Sequence, residues 1–345
     1  MPNNKNIFTK KNHVLVIAEI GINHNGNLKI AKQLINHAKQ AGADAVKFQT
    51  YDVDNLVDQN TKSANYQKKT GIKNQYKLLK KYQLDKKKFK IIRNYCLKKK
   101  ITFMSTPFDN LSAEFLNKLG INIFKVSSGD LENFHLLKKI KTLNKKIILS
   151  TGMSEFKSLL KTIKFLNLPK NKIFILHCVS DYPTLLSNTY LGYLNKIKKL
   201  NFRFGISDHT TGNEFAISSI AMGSTIVEKH ITLSKKMNGP DHEASMEVKN
   251  LKHFIKSIRD VKYSLNKTKR KLTQGEISTK LITERRLFFS KNILKGKKIN
   301  YDDLIPLRSS NKSIIKANDY NKVVGCISKK NFKKKEPIKW INISK

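Results

Sequence analysis

Eight short runs rich in β-branched and aromatic residues recur through the first two-thirds of the chain, at 14–19, 45–50, 101–106, 123–127, 146–151, 172–177, 202–207 and 225–230. Between them lie segments with helical periodicity. Strand-like and helix-like runs in alternation predict a parallel sheet with crossover helices, and eight is the number that closes a barrel. The expected fold class is therefore α/β, a (β/α)8 TIM barrel. After the first run, Leu28, Ala31, Leu34, Ile35, Ala38 and Ala41 share one helical face, and Gly42 follows as a stop. Asp85 reads as the N-cap of a helix carrying Phe89, Ile92 and Cys96, Ser112 as the opening of a short helix and Gly120 as the close of another. The 51–83 stretch is long for a strand-to-helix connection and is expected to fold over the barrel mouth. Phe254, Ile258 and Val261 mark the last amphipathic helix of the barrel.

This division gives a catalytic barrel over 1–267, a charged linker over 268–284 and a β-rich module over 285–345. The module's short runs fall at 287–290, 302–307, 323–327 and 338–343, with a turn at Lys295, Gly296 and Lys297. A unit of about 60 residues is small enough to need docking against something larger.

A formal charge of +43, from 68 Lys and Arg against 25 Asp and Glu, raises the question of a polyanion partner. The lysines are spread over nearly every predicted helix and loop, together with abundant Asn and Ile. That pattern reads as codon bias filling solvated positions, with no basic helix or aromatic-basic motif to hold nucleic acid. A positive field would still steer a small anionic substrate. Cys96, Cys178 and Cys326 fit neither a metal-binding pair nor a disulfide framework, which predicts a reducing cytoplasm. The apolar run after the basic N-terminus is short and leads into Glu19, so it reads as a strand and not a signal peptide, and no apolar stretch reaches membrane-spanning length.

Active sites in such barrels lie at the carboxyl ends of the strands, and nearly every run here ends in polar residues. Lys47 and Lys125, with Thr106, Ser128, Ser150, Ser207 and the glycines nearby, make a receptacle for a small dianion: ammonium groups supply charge, hydroxyls and free N–H groups supply direction. His209 and His230 close neighbouring runs. Each alone suits a hydrogen-bonding role, but both together could share a metal with open positions for water and substrate oxygen. Nitrogen and oxygen donors without thiolate favour Mn, Fe, Co or Zn. Glu19 is the leading carboxylate for proton handling, or else an electrostatic support for Lys47 or Lys125.

The ordered motifs Ala18-Glu19-Ile20-Gly21-Ile22-Asn23-His24-Asn25-Gly26, Lys47-Phe48-Gln49-Thr50, Ser105-Thr106-Pro107-Phe108, Lys125-Val126-Ser127-Ser128-Gly129, Ser150-Thr151-Gly152-Met153, Ser207-Asp208-His209-Thr210, Glu228-Lys229-His230 and Gly239-Pro240-Asp241-His242 together resemble the sialic acid synthase family. The resemblance implies condensation of phosphoenolpyruvate with an N-acylated mannose-type sugar and water, giving a nonulosonic acid and phosphate. It implies that His209 and His230 hold a divalent metal, manganese with magnesium or cobalt as alternatives, and that Lys47, Thr106, Lys125, Ser128, Ser150 and Ser207 hold phosphoenolpyruvate. Glu19 would act near the reacting carbons, and Gln49, Asp130, Tyr182 and Asp241 would line the sugar and metal side. The C-terminal module resembles that family's antifreeze-like (SAF) domain, which implies a domain-swapped homodimer with Arg308 reaching the sugar. Two positions depart from the family pattern: Ser309 and Ser310 stand where Pro-Gly is common, and Asp130 where glutamate is frequent. N-acetylneuraminate synthase is the leading reading, with N,N'-diacetyllegionaminate synthase and then pseudaminate synthase as alternatives. A metal-dependent aldolase or isomerase, a polyanion binder and an ice-binding role for the C-terminal module are the readings from other classes.

Overall fold

The computed structural model describes residues 13–64, 67 and 70–345, and the chain divides into two compact units, 1–267 and 268–345. The first unit runs β1 (Leu15–Gly21), α1 (Leu28–Ala41), β2 (Ala45–Thr50), α2 (Gln75–Tyr82), α3 (Lys86–Lys98), β3 (Thr102–Pro107), α4 (Asn110–Lys118), β4 (Ile123–Val126), α5 (Phe134–Thr142), β5 (Lys146–Ser150), α6 (Phe156–Leu166), β6 (Ile173–Cys178), α7 (Leu194–Lys198), β7 (Arg203–Asp208), α8 (Glu214–Ala221), β8 (Ile226–Thr232), β9 (Met246–Glu247) and α9 (Val248–Leu265). Strands β1 to β8 pair in parallel in sequence order, and β8 returns to pair with β1. The sheet is thus a closed eight-stranded barrel, as the alternation predicts.

Successive side chains on a strand face opposite ways, and this parity divides the apolar residues into two cores. One set, including Leu15, Ile17, Ala45, Met104, Ile123, Ile148, Phe174, Leu176 and Ile226, fills the barrel interior. The alternate residues, among them Val16, Ala18, Val46, Phe124, Ile147, Ile175 and Val227, join the helices in a larger outer core. Two steps beyond the interior hydrophobes stand Glu19, Lys47, Thr106, Lys125, Ser150, Cys178 and Glu228. The interior floor of one layer therefore becomes a polar layer above it.

The helix boundaries follow side-chain chemistry. Asn27 accepts the first free N–H groups of α1, and Gly42 ends it at φ 91°. Asp85 caps α3 as expected. The cap of α4 is Asp109, not Ser112: the Asp109 carboxylate accepts from both the amide and the hydroxyl of Ser112, which lies inside the first turn. In the 51–83 stretch residues 65, 66, 68 and 69 lie outside the described residues. The rest packs through Tyr51, Val53, Leu78 and Tyr82 on Ile22 and Phe108, which follow β1 and β3, so it covers the carboxyl end of the barrel.

In the second unit the stretch expected as a linker carries a helix, α10 (Gln274–Thr283), opened by a reciprocal cap between Thr273 and Glu276. Then follow β10 (Arg285–Phe289), β11 (Leu304–Arg308), α11 (Tyr320–Val323), β12 (Ile327–Ser328) and β13 (Ile343–Ser344), paired antiparallel as β10–β11 and β12–β13. Leu287, Phe289, Ile293, Ile299, Ile315, Val323, Phe332 and Ile338 form its own core. The expected run at 323–327 is not one strand, because Val323 ends α11 and Gly325 turns the chain at φ 91°. Among the described residues no helix is long and apolar enough to cross a membrane.

Gly205 tests the tightness of the barrel. A Cβ there would lie 1.9 Å from the Ile226 carbonyl oxygen and 2.6 Å from its carbon, both backbone atoms of the neighbouring strand. Gly205→Ala is expected to destabilise the protein by roughly 3 kcal/mol or more, read as a lowered thermal midpoint by circular dichroism. An unchanged midpoint would mean that β7 and β8 are not packed as described.

Candidate active site

At the carboxyl end of the barrel four buried charges share one interior layer. Lys47 Nζ on β2 lies 2.9 Å from Glu19 Oε2 on β1 and 3.7 Å from Glu228 Oε2 on β8, and donates to Thr106 Oγ1 at 3.1 Å. Lys125 Nζ on β4 lies 3.1 Å from Glu228 Oε1, which also accepts from Ser207 Oγ at 2.8 Å. All four residues are at most 4% exposed. Glu228 thus contacts both lysines, whereas Glu19 pairs with Lys47 and feels Lys125 only at longer range.

The two carboxyls respond in opposite directions. Burial pushes Glu19 up to about 7, against the pull of Lys47 and with a further push from the Glu228 charge. Burial opposes the Glu228 charge as well, but Lys125 and Lys47 outweigh it and hold its carboxyl at about 2. For Lys125 burial wins over Glu228, and its pKa falls below the usual lysine value. Lys47 is the reverse: burial is outweighed by Glu19 and Glu228, and its pKa rises.

Beside this layer the end of β5 and the turn after β4 bring serine hydroxyls close against backbone. The Gly152 amide donates to Ser128 Oγ at 3.1 Å, and a Cβ on Gly152 would lie 2.3 Å from Ser180 Oγ and 2.8 Å from Ser128 Oγ. Ser150 Oγ is buried without a hydrogen-bond partner. A buried hydroxyl left unpaired is unfavourable, so Ser150 is chemically suited to donate to an incoming oxygen acceptor.

The other side of the mouth is aromatic and imidazole. The rings of His209, just after β7, and His230 on β8 lie 5.4 Å apart, and Tyr182 covers both at 4.2 and 6.0 Å. His209 Nδ1 meets the Val179 carbonyl at 2.7 Å and must donate there, which leaves Nε2 with its lone pair free. His230 Nδ1 is buried and unpartnered. Burial first, then the neighbouring His209, holds His230 well below the usual histidine value, so it stays neutral. His209 is shifted the other way: burial is outweighed by Cys178 and the Val179 carbonyl, and its pKa rises above the usual histidine value. Once His209 gives up its Nε2 proton, the two rings offer lone pairs that fit a divalent cation. Among the described residues no cluster of three or more His, Cys, Asp or Glu could hold one, so such an ion would keep positions for water and substrate oxygens.

The remaining expected residues are placed unequally. Gly21, at φ 54°, brings Glu19, Gln49 and His230 to within 3.3 to 3.5 Å of the point where its Cβ would stand. Asp241 is buried, and burial raises it to about 6 against the pull of His209. Its loop is tied to the loop after β1: Asn25 meets His242 Nε2 at 3.1 Å and donates to the Asn238 carbonyl at 2.9 Å. Asp130 is turned back on its own loop, where its carboxylate accepts from Ser127 Oγ at 2.5 Å and Asn133 Nδ2 at 3.0 Å. Arg308 belongs to the second unit, exposed at the end of β11. Glu228 was legible only as a polar residue at the end of the eighth run, without a role. Its parity with Ile226 was the available signal. Ser180 and Gly152 likewise become a pair only in three dimensions.

A sequence model of the NeuB family matches residues 34–270. The N,N'-diacetyllegionaminic acid synthase of Campylobacter jejuni is 38% identical over 94% of this chain and 98% of its own length, and that of Legionella pneumophila is 35% identical over 85% of each chain. Among solved structures, the N-acetylneuraminic acid synthetase of Leptospira borgpetersenii is 30% identical with a TM-score of 0.67, covering 77% of this chain and 90% of its own.

The stability contribution of Glu228 is set by its depressed pKa. Its contribution is complete above pH 4.5 and is lost as pH falls toward 2, since the folded state then gains the proton late. Glu228→Gln is expected to cost roughly 3 kcal/mol at pH 7 by leaving two buried lysines under-compensated, measured by urea unfolding. The gap from wild type should narrow below pH 4.5. A variant as stable as wild type at pH 7 would mean that Glu228 is not the shared counter-charge.

Proposed function

This chain belongs to the NeuB family, and on that premise we propose that it condenses phosphoenolpyruvate with an N-acylated mannose-type sugar and water to form a nonulosonic acid and phosphate. Within that chemistry we assign it as an N,N'-diacetyllegionaminate synthase. Two named relatives of that activity, one of them matched over nearly its whole length, support this assignment over the N-acetylneuraminate reading that the motifs first suggested.

The observation that carries the reaction class is the juxtaposition of two buried lysines from β2 and β4 with an imidazole pair from the β7 and β8 ends. Phosphoenolpyruvate needs its charge neutralised in a dry site, and Lys47 and Lys125 supply it, with Thr106, Ser128, Ser150 and Ser207 as directional partners. Glu228 offsets part of the cost of burying both ammonium groups. His209 and His230 would hold the divalent ion, manganese by resemblance, and the chemistry it supplies is Lewis-acid polarisation of a carbonyl oxygen. The enol carbon of phosphoenolpyruvate forms the new bond to the sugar's aldehyde carbon, water adds to the cationic carbon left behind, and phosphate departs. Glu19, with a carboxyl near 7, can hold or release a proton beside these atoms at working pH. Gln49, Tyr182 and Asp241 line the sugar side. Asp130, with both oxygens engaged locally, would act on the sugar by shaping the loop after β4.

Residues 285–345 are assigned as an antifreeze-like domain. The match to the Campylobacter relative covers 94% of this chain and so runs past the barrel into these residues. Arg308 would then serve the site of a second copy in a homodimer.

The decisive experiment follows phosphate release from phosphoenolpyruvate with 2,4-diacetamido-trideoxy-mannose and with N-acetylmannosamine, with manganese and with a chelator. We expect chelator-sensitive release with at least about tenfold higher kcat/KM for the diacetamido sugar. Preference for N-acetylmannosamine would reverse the branch assignment, and silence with both would end the synthase reading. Gly152→Ala should raise KM for phosphoenolpyruvate about tenfold or more, because its Cβ would stand 2.3 Å from Ser180 Oγ and 2.8 Å from Ser128 Oγ and force both hydroxyls aside. An unchanged KM would place the substrate elsewhere.

A further inference from the structure

One buried cation at the mouth has no part in the chemistry above. Lys229, 1% exposed, stands between Glu228 and His230 on β8, so the strand's alternation turns it away from the barrel interior. It faces the outer core, with Nζ 5.9 Å from the Phe254 ring of α9. There Nζ donates to Asp208 Oδ2 at 2.8 Å, to the Thr210 carbonyl at 2.5 Å and to the Gly212 carbonyl at 3.3 Å. Asp208 Oδ1 in turn accepts from the amide and the hydroxyl of Thr210, each at 2.8 Å.

The register explains what this knot is for. Ser207 stands opposite Glu228, and Asp208 opposite Lys229. The inward rung of Ser207 and Glu228 belongs to the charged layer, and one step beyond the Asp208 and Lys229 pair come His209, just past β7, and His230 on β8. The outward ion pair sits between these rungs. A buried ion pair in an apolar layer gains little stability over a well-packed apolar pair, so its presence points to a positional role. Its contacts fall on residues 208, 210 and 212, on both sides of His209.

We propose that Lys229 is a positioning residue for the imidazole pair: by tying Asp208, Thr210 and Gly212 to β8 it fixes the backbone around His209 and sets the spacing at which His209 and His230 take up a divalent cation. This inference rests on the metal reading of the two histidines given above. It assigns the lysine no contact with substrate or metal.

The test is direct manganese titration of the full chain, read by the electron paramagnetic resonance signal of free Mn2+, for wild type, Lys229→Met and the double variant Asp208→Asn with Lys229→Met. The double variant removes the carboxylate that the single variant would leave buried without its counter-charge, and so guards against loss of folding. Calorimetric titration with phosphoenolpyruvate, without metal, runs in parallel. Manganese affinity is expected to fall about tenfold or more in both variants, the range seen when an outer partner of a metal ligand is removed. Phosphoenolpyruvate affinity should stay within about twofold. Variants that bind manganese like wild type would overturn the positioning role while leaving the metal reading intact. Loss of both ligands in step would also overturn it, since the effect would then be general. Wild-type protein that binds no manganese would overturn the metal reading, and this inference with it.

Discussion

The two-residue alternation of a β-strand is the constraint from which the site follows. In a closed barrel every second side chain must enter the interior, so the residue two steps past an interior hydrophobe has no other place to go. Leu15 and Ile17 commit Glu19, Ala45 commits Lys47, Ile123 commits Lys125, and Ile226 commits Glu228 and then His230. Charged residues at those positions are buried by topology and must find partners among one another. A one-residue slip of any strand would exchange them for outer-core hydrophobes such as Ala18 or Val46 and dismantle both core and site.

That enclosure also explains why chemically identical carboxyls behave differently. Glu228 sits where two ammonium groups and the Ser207 hydroxyl reach it, which is enough to keep it ionised in a dry layer. Glu19 has one ammonium group and the Glu228 charge against it, which leaves its carboxyl near neutrality. The contrast arises from the positions of β1, β2, β4 and β8 around the ring, since residue type is the same. Pairs of carboxyls pushed apart in this way are the usual means of dividing the roles of permanent charge and exchangeable proton.

This split marks what the sequence could disclose. Periodicity revealed all eight barrel strands, with ends within a residue or two, because each is a run of interior and outer-core residues that nothing else in a fold requires. Polar strand ends revealed Glu19, Lys47, Lys125, His209 and His230 for the same reason. Local capping was less legible: Asp109 and Ser112 are both good caps, and only the backbone at Asp109, extended at φ −147°, decides between them. Relations between distant residues were not legible. That Glu228 serves two lysines, that Lys229 holds the turn around His209, and that Asp130 is absorbed by Ser127 and Asn133 all depend on which strands and loops are neighbours.

The strongest of these relations gather at one seam. β1 and β8, more than 200 residues apart in the chain, meet with Glu19 opposite His230. The loops that follow them are stitched there by Asn23, which donates to the Ile231 carbonyl and to Ser245, and by Asn25 with His242. His242 is itself anchored by Thr232, the last residue of β8. Closing the barrel and bringing Glu19 beside the imidazole pair are therefore the same structural event. Until β8 docks on β1, Glu228 has no lysines and His230 has no partner across the mouth. Assembly of the site is thus tied to completion of the fold, and a partly closed barrel would carry the polar residues of the mouth without their arrangement.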